Sequence, residues 1–408
     1  MAAVGLVLAL AGCGAKAPEA EGPPPPPLPV VEQANLDVAT VVDAVDAFGL
    51  DLLNSPFLAD KGGNLVISPV SVSLVLQMVA SGAGGKTAEE MANVLHLPQG
   101  ATTHARELMR VFGTQDVKAA NTVWTQQGLR LKQPFADGLR DDFQAKANDA
   151  DFKTNPGDAV KRINDTIADQ TGGKIKNLFP PGSLDGDTRM VLTNAIYLEA
   201  AWAREFKQDK TSQAEFTRPD GSKVQVPMMH NDFDQEDPKS QLGYATGPGF
   251  QAVTLPYKSG KLAFTAILTT GPSKADVMRT NGIPAILKQI KPAPVELAMP
   301  KFTTSSELDL NDALKDAGMA TAFTDQADFS GMTADEPLAL QTVRHNTFIQ
   351  VDEHGTVAAA ASGAGARATS AMQTIQVTLD RPFTFVITDT ATGAPLFLGR
   401  INDPTAKS

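Results

Sequence analysis

Five histidines (His96, His104, His230, His345 and His354) are the first residues to test for chemistry. No two of them share the short helical or loop spacing that a zinc site requires, so each reads as a surface or hydrogen-bonded core residue and no metal is expected. Gly85-Lys86-Thr87 resembles the end of a phosphate-binding loop, but that motif needs glycine where Ala80 stands and a strand in front of it. No Gly-x-Ser-x-Gly nucleophile elbow occurs. The carboxylate pairs Glu89-Glu90 and Asp141-Asp142 fall on the polar faces of helical patterns, where solvated charge is the default. These residues assemble into no catalytic constellation, and the chain is not expected to be an enzyme or to need a cofactor.

A different chemistry, that of a substrate, is written between Gly355 and Ala371. Fifteen of those seventeen residues are Gly, Ala, Ser or Thr, the exceptions being Val357 and Arg367. A core strand would use β-branched and aromatic residues, and a helix would avoid Gly363 and Gly365. Strand-like residues flank the segment, Phe348 to Val351 before and Ile375 to Val377 after. A long small-residue loop strung between two strands of one domain is a functional loop more often than a linker.

The elements that must hold this loop mix two periodicities. Apolar residues recur at helical spacing over Val38–Leu53, Val72–Val79, Phe135–Phe143 and Ala159–Ile167. Strand patterns cover Met190–Leu198, Ala263–Leu268, Val295–Met299 and Thr384–Ile387. Helices dominate the first half and strands the second, which indicates an α+β fold with large antiparallel or mixed sheets. No linker or repeat interrupts residues 36–405, so they are expected to form a single domain.

The N-terminus is set apart. Val4 to Leu10 is apolar but too short for a membrane-spanning helix. Leu10-Ala11-Gly12-Cys13 resembles a bacterial lipoprotein signal, in which residues 1–12 are removed and Cys13 carries the lipid, although no Lys or Arg precedes the apolar stretch. Cys13 is the only cysteine, so no intrachain disulfide can form. Residues 13–35 then read as a tether, stiffened by the unbroken run Pro23 to Pro27. The expected location is the cell envelope or surface, membrane-anchored through Cys13, or the extracellular space after release. A net charge of −11, with no run of Lys or Arg, argues against a phosphate-binding face for nucleic acid. Only Arg106 and Arg110 are basic between His96 and Gln115, too few for heparin.

Four motifs in register resemble one family. Glu353-His354-Gly355-Thr356-Val357-Ala358-Ala359-Ala360-Ala361-Ser362 is similar to the hinge of serpins, the serine protease inhibitors that trap their targets by a conformational change. Asn64 to Ser71 with Gly82, Ala83 and Thr87 resembles the segment entering the family's second helix. Val191 to Tyr197 with Trp202 and Phe206 resembles its strand and turn beside the insertion site, and Leu379 to Phe383 with Phe397 to Ile401 its C-terminal end. The resemblance implies the serpin fold: helices on a large central mixed sheet, two smaller sheets, and an exposed reactive-centre loop. Departures fall at Val357, Leu198 to Ala200, Asn346 and Thr384.

The family mechanism implies roles residue by residue. A serine protease cleaves the loop, an acyl-enzyme forms, and the cut loop enters the central sheet as a new strand. Alternate residues of such a strand face inward; with Thr356 inward, so are Ala358, Ala360, Ser362, Ala364, Ala366 and Ala368, all small and uncharged. Ser68, Ser71, Asn194 and His345 correspond to the polar cluster where the sheet parts, with Glu353 and Trp202 near the top. Counting from Gly355 places the cut between Thr369 and Ser370; counting back from Phe383 places it between Ala371 and Met372. Small residues suit elastase-like or subtilisin-like proteases, whereas Arg367-Ala368 would suit a trypsin-like one, and a cysteine protease is a further candidate target. The expected protein is a monomer forming a covalent complex with its protease. The alternative is a non-inhibitory serpin acting as a binding or structural protein.

Overall fold

The computed structural model describes residues 38–59, 63–98, 109, 116–145, 147–231, 241–270, 282–356 and 374–406. Outside them lie Cys13 and the N-terminal segment, His104, and the loop residues Ala358 to Ser362 and Arg367 to Met372. Residues 36–408 cluster as one unit.

Three sheets carry the strands. The central one runs β3 (Ala147–Ala150), β2 (Val117–Gln126), β4 (Met190–Leu198), β14 (Thr342–Val351), with β13 (Phe302–Asp309) on the far side of β14. It is mixed: β2 pairs β4 antiparallel, while β4 and β14 run parallel. At its top, two short strands, β5 (Ala200–Ala201) and β15 (Gly355–Thr356), continue the order after β14. A second sheet has seven strands, in the order β1 (Leu65–Ile67), β18 (Pro395–Ile401), β17 (Phe383–Asp389), β10 (Leu262–Thr269), β9 (Phe250–Pro256), β8 (Leu242–Gly247) and β11 (Lys291–Ala293). The third has four: β16 (Ile375–Thr378), β12 (Val295–Pro300), β7 (Lys223–His230) and β6 (Ser212–Thr217). The small-residue segment thus leaves the central sheet at β15 and rejoins the body at β16.

Helices cover both faces of the central sheet, and this explains an uninterrupted apolar strand. All nine residues of β4 are buried, as expected of a strand packed on both sides. On the inner face lies α3 (Pro69–Ala80), the third helix after α1 (Val38–Asn54) and the one-turn α2 (Pro56–Ala59). Every residue of α3 from Pro69 to Val79 is buried, so its apolar spacing marks a central helix and not the amphipathic surface helix its periodicity suggests. Its start is fixed by Pro69 at the first helical position and by the Ser68 hydroxyl, which accepts the Ser71 N–H at 3.3 Å. Beside it α1 packs closely at Gly49, where an added Cβ would lie 2.5 Å from Pro69 Cγ.

The outer face holds a separate core. Following α4 (Gly85–Val94) and α5 (Gln133–Phe143), helix α6 (Pro156–Gln170) lays Ile163 and Ile167 with Phe179 against Trp124, Val191 and Ala195 of the sheet. Gly85-Lys86-Thr87 forms the first turn of α4, and Thr87 is an anchor: its buried hydroxyl accepts the Asp328 N–H at 2.9 Å. Glu90 on the same helix departs from the solvated-face expectation, since its carboxylate accepts both the Thr321 N–H (2.8 Å) and hydroxyl (2.7 Å).

One group of α1 opposes the fold. Asp46 is 3% exposed, and neither carboxylate oxygen has a hydrogen-bond partner among the described residues. Burial, aided by Asp43, pushes its pKa up to about 8. The folded protein therefore keeps a proton that the unfolded chain releases above about 4, and stability falls as pH rises from about 4 to 8. Replacing Asp46 by Asn should remove this slope. The stability gained by Asp46→Asn, from chemical denaturation, is expected to grow by roughly 3 kcal/mol between pH 5 and pH 8; a pH-independent difference would show that Asp46 does not titrate there.

Candidate functional site

The seam between β4 and β14 is closed. Seven residue pairs run in unbroken register from Thr342↔Val191 to Phe348↔Tyr197, and the middle of it is His345↔Asn194. Both side chains point inward to the first turn of α3. There His345 Nε2 accepts the Ser68 backbone N–H at 2.9 Å. That assigns the ring proton to Nδ1, which donates to Asn194 Oδ1 across the seam. The Asn194 amide in turn donates to Ser71 Oγ at 2.6 Å and to Asn121 Oδ1 at 2.7 Å. The Ser71 hydroxyl closes the network on Asn121 Oδ1 at 2.8 Å. The four residues that the resemblance assigned to the polar cluster are thus one hydrogen-bonded network, with Ser68, Ser71, Asn194 and His345 each 0% exposed.

The network is consistent only with a neutral imidazole. Protonating Nε2 would turn the acceptor for Ser68 into a donor facing a donor. Burial, only partly offset by the Asn194 contact, holds the His345 pKa down at about 3.

Trp202 lies at the top of the sheet beside the hinge. Its N–H groups fix the turn before β15: the backbone N–H donates to His354 O and the indole Nε1 to Asp352 O, both at 2.9 Å. The ring stacks on Tyr257, with centroids 4.6 Å apart and planes inclined by 12°. The Tyr257 hydroxyl then pairs with Thr356 Oγ1 at 2.7 Å, both residues being buried. Glu353 is 4% exposed; its carboxylate accepts from Thr211 (2.7 Å) and Lys301 (2.6 Å). Burial alone would raise the Glu353 pKa, but these donors outweigh it and hold the carboxyl below its ordinary value. His354 is paired with Glu205 at 2.8 Å.

Gly355 and Thr356 already lie between strands. Thr356 pairs with Val351 of β14 on one side and Ala200 of β5 on the other. At Gly355 φ is +150°, and a Cβ there would sit 2.2 Å from Ala200 O and 2.6 Å from Ala201 Cα. No side chain fits that backbone-lined gap, so glycine is required. The remaining hinge residues, Ala358 to Ser362, and the candidate scissile residues Arg367 to Met372 are outside the described residues.

Asn121 and Tyr257 were not found from the sequence. Asn121 is a lone inward amide in a strand otherwise rich in Ala, Val and Thr, which is a faint signal. Tyr257 carried none, because nothing local marks a tyrosine that will face a threonine ninety-nine residues away.

The family model for Serpin (serine protease inhibitor) matches residues 43–404. The chain belongs to the serpin family. Its serpin relatives include an uncharacterized serpin-like protein of Thermococcus kodakarensis, 34% identical, the match covering 89% of this chain and 86% of the relative. A serine protease inhibitor of Cyanea capillata is 32% identical over 84% of this chain and 93% of its own. Among solved serpins, the crystal structure of tengpin, a thermophilic serpin in its native state, superposes with a TM-score of 0.80 at 26% identity, covering 91% of this chain and 96% of tengpin. The expected fold class is therefore shown, and the family function is inhibition of serine proteases.

The seam cluster of this serpin makes its stability sensitive to acid. The folded protein rejects a proton that the unfolded chain accepts below about 6.5, so the contribution of a neutral His345 is complete above that pH and shrinks as pH falls toward 3. In His345→Gln the titrating group is gone. The stability difference between wild type and this variant should fall by roughly 2 kcal/mol between pH 7 and pH 4.5. An unchanged difference over that range would mean that His345 is protonated equally in both states.

Proposed function

We propose that this serpin is a suicide substrate, exported and held at a membrane by a lipid on Cys13, whose loop captures elastase-like or subtilisin-like serine proteases. The protease serine attacks the carbonyl carbon of Thr369. The amide nitrogen of Ser370 leaves with a proton, and Thr369 remains esterified to the enzyme. The freed loop then extends β15 downward between β4 and β14, carrying the enzyme with it.

The observation that carries this reading is the register of β15. Thr356 stands opposite Val351 and Ala200, and these two are in line with the His345↔Asn194 pairing of the seam. Continued by six residues, the same register sets Ser362 opposite His345 on one side and Asn194 on the other, with its side chain on their inward face. Parting the strands widens their spacing from about 5 Å to about 10 Å and breaks the His345–Asn194 bond. Ser362 is the one hydroxyl among the inward residues after Thr356, the others through Ala368 being alanine. It supplies a donor and an acceptor where that bond is lost. Ser68, Ser71, Asn194, His345 and Asn121 thereby act as the latch of the sheet, and Glu353, Gly355 and Thr356 as its hinge. Arg367, two residues before Thr369, points to the solvent face in this register, and cleavage at Arg367-Ala368 would leave a shorter strand to insert.

Incubation with elastase should give a complex that survives SDS, together with a cleaved form of higher melting temperature. Ser362→Arg would have to bury an unpaired charge and should shift the outcome from complex to cleaved product by about tenfold or more. Cleaved product alone from the wild type, at every protease ratio, would make the chain a non-inhibitory serpin. For the anchor, cells expressing the protein should incorporate labelled palmitate into it, and Cys13→Ser should abolish the label; equal labelling of both would refute lipidation at Cys13.

A further inference from the structure

The seam between β4 and β14 is crossed a second time, on its outward face. Its last register pair is Phe348↔Tyr197, three residues along each strand from His345↔Asn194. An odd step along a strand turns the side chain to the opposite face, so these two rings point away from α3. Their centroids are 6.4 Å apart and their planes are inclined by 52°. Tyr197 is 2% exposed, and its hydroxyl donates to Glu199 at 2.7 Å, which fixes the ring.

A cation spans this pair. Lys174 Nζ lies 5.8 Å from the Tyr197 centroid and 5.8 Å from that of Phe348, within reach of a cation–π contact to each. Equidistant from two rings on different strands, the ammonium stands over the line along which the seam would part. Lys118 provides the contrast. Its Nζ is 5.9 Å from the Tyr197 centroid and 3.8 Å from the Glu199 carboxylate. It reaches the ring from β2, opposite Tyr197 on the side of β4 away from the seam.

Lys174 is delivered to its place by a well-anchored segment. The chain leaves α6 through Gly172 and Gly173, at φ +59° and +76°, a left-handed pair that reverses its direction. Buried Thr171 holds the reversal: its hydroxyl donates to Ile167 O at 2.7 Å and accepts the Ile175 N–H at 3.3 Å. Asn164 grips the returning chain at Phe179, accepting its N–H at 2.9 Å and donating to its carbonyl at 2.8 Å. Ile175, Leu178 and Phe179 enter the outer core with Val191 and Ala195 of β4. Residues 171–179 are therefore bound to α6 and β4, and through Lys174 that hold extends to β14.

We infer that Lys174 is a strap across the seam, a positioning residue that ties β14 to β4 from outside and sets how readily the two strands part. Parting them moves their spacing from about 5 Å to about 10 Å, and the two rings separate by as much. The points within about 6 Å of both centroids then shrink to the line between them, where an inserted strand would run. The ammonium must give up one ring. In the register of β15 the residue that falls between Phe348 and Tyr197 is Ala359, three before Ser362. Each contact is weak at an exposed lysine, so the strap tunes opening and does not forbid it.

The test separates charge from packing. Lys174→Met keeps an apolar stem and removes the charge, whereas Lys174→Arg keeps the charge. In the intact full-length protein without protease, hydrogen exchange at the seam-facing amides of residues 191–197 and 342–348 should be about threefold faster in Lys174→Met. Lys174→Arg should restore the wild-type rate. Lys118→Met, which also takes a cation from Tyr197, should leave these amides unchanged. With elastase, Lys174→Met should raise the ratio of SDS-stable complex to cleaved product by a similar factor. That ratio rests on loop insertion and the exchange rates do not. Faster exchange in Lys174→Met with only cleaved product from every variant would keep the strap and remove the inhibitor. Equal exchange in wild type and Lys174→Met, or the same acceleration in Lys174→Arg or Lys118→Met, would overturn the inference.

Discussion

The contact on which the molecule turns is the hydrogen bond from His345 to Asn194 across two parallel strands. There the seam is tied by a side-chain hydrogen bond as well as by backbone. Everything around serves to keep this bond dry and singular. The first turn of α3 brings Ser68 and Ser71 to it, β2 brings Asn121, and the apolar faces of both sheets exclude water. Inside such a low-dielectric site a satisfied polar network is rigid, and a half-satisfied one is costly. The seam therefore resists opening until some other group can meet the same donors and acceptors.

The upper end of the sheet is arranged in the opposite sense. There the gap has already been entered, by a strand of two residues whose backbone is gripped on both sides. Glu353 is tied to Lys301 and Thr211, and Trp202 to the carbonyls of Asp352 and His354. These bonds set the angle at which the chain leaves the sheet. A tight lower seam and a started upper end give the central sheet two unlike ends.

Much of this was legible in the sequence because it is written in local pattern. The apolar run of β4, the periodicity of α1 and α6, and the small-residue loop all announced themselves, and the hinge and cluster residues followed from a resemblance carried by short motifs. What could not be read is what depends on partners distant in the chain. Asn121 is unremarkable until Ser71 and Asn194 face it, and Tyr257 until Thr356 does. Glu90 looked solvated because its binding partner, Thr321, comes from a turn more than two hundred residues later. The burial of Asp46 was hidden for the same reason: a helix pattern shows which face is apolar, not how wide the covered stripe becomes.

The chain has two tryptophans, and they stand at different stations of the same sheet. Trp202 is stacked on Tyr257 beside the hinge, while Trp124 is sealed in the outer core beneath α6, with the Arg162 guanidinium 5.8 Å from its ring. Each indole thus has distinct surroundings, one stacked on a neighbouring aromatic and the other beside a cation. The two indoles are therefore built-in probes of separate places, one of the hinge and the other of the outer core beneath α6.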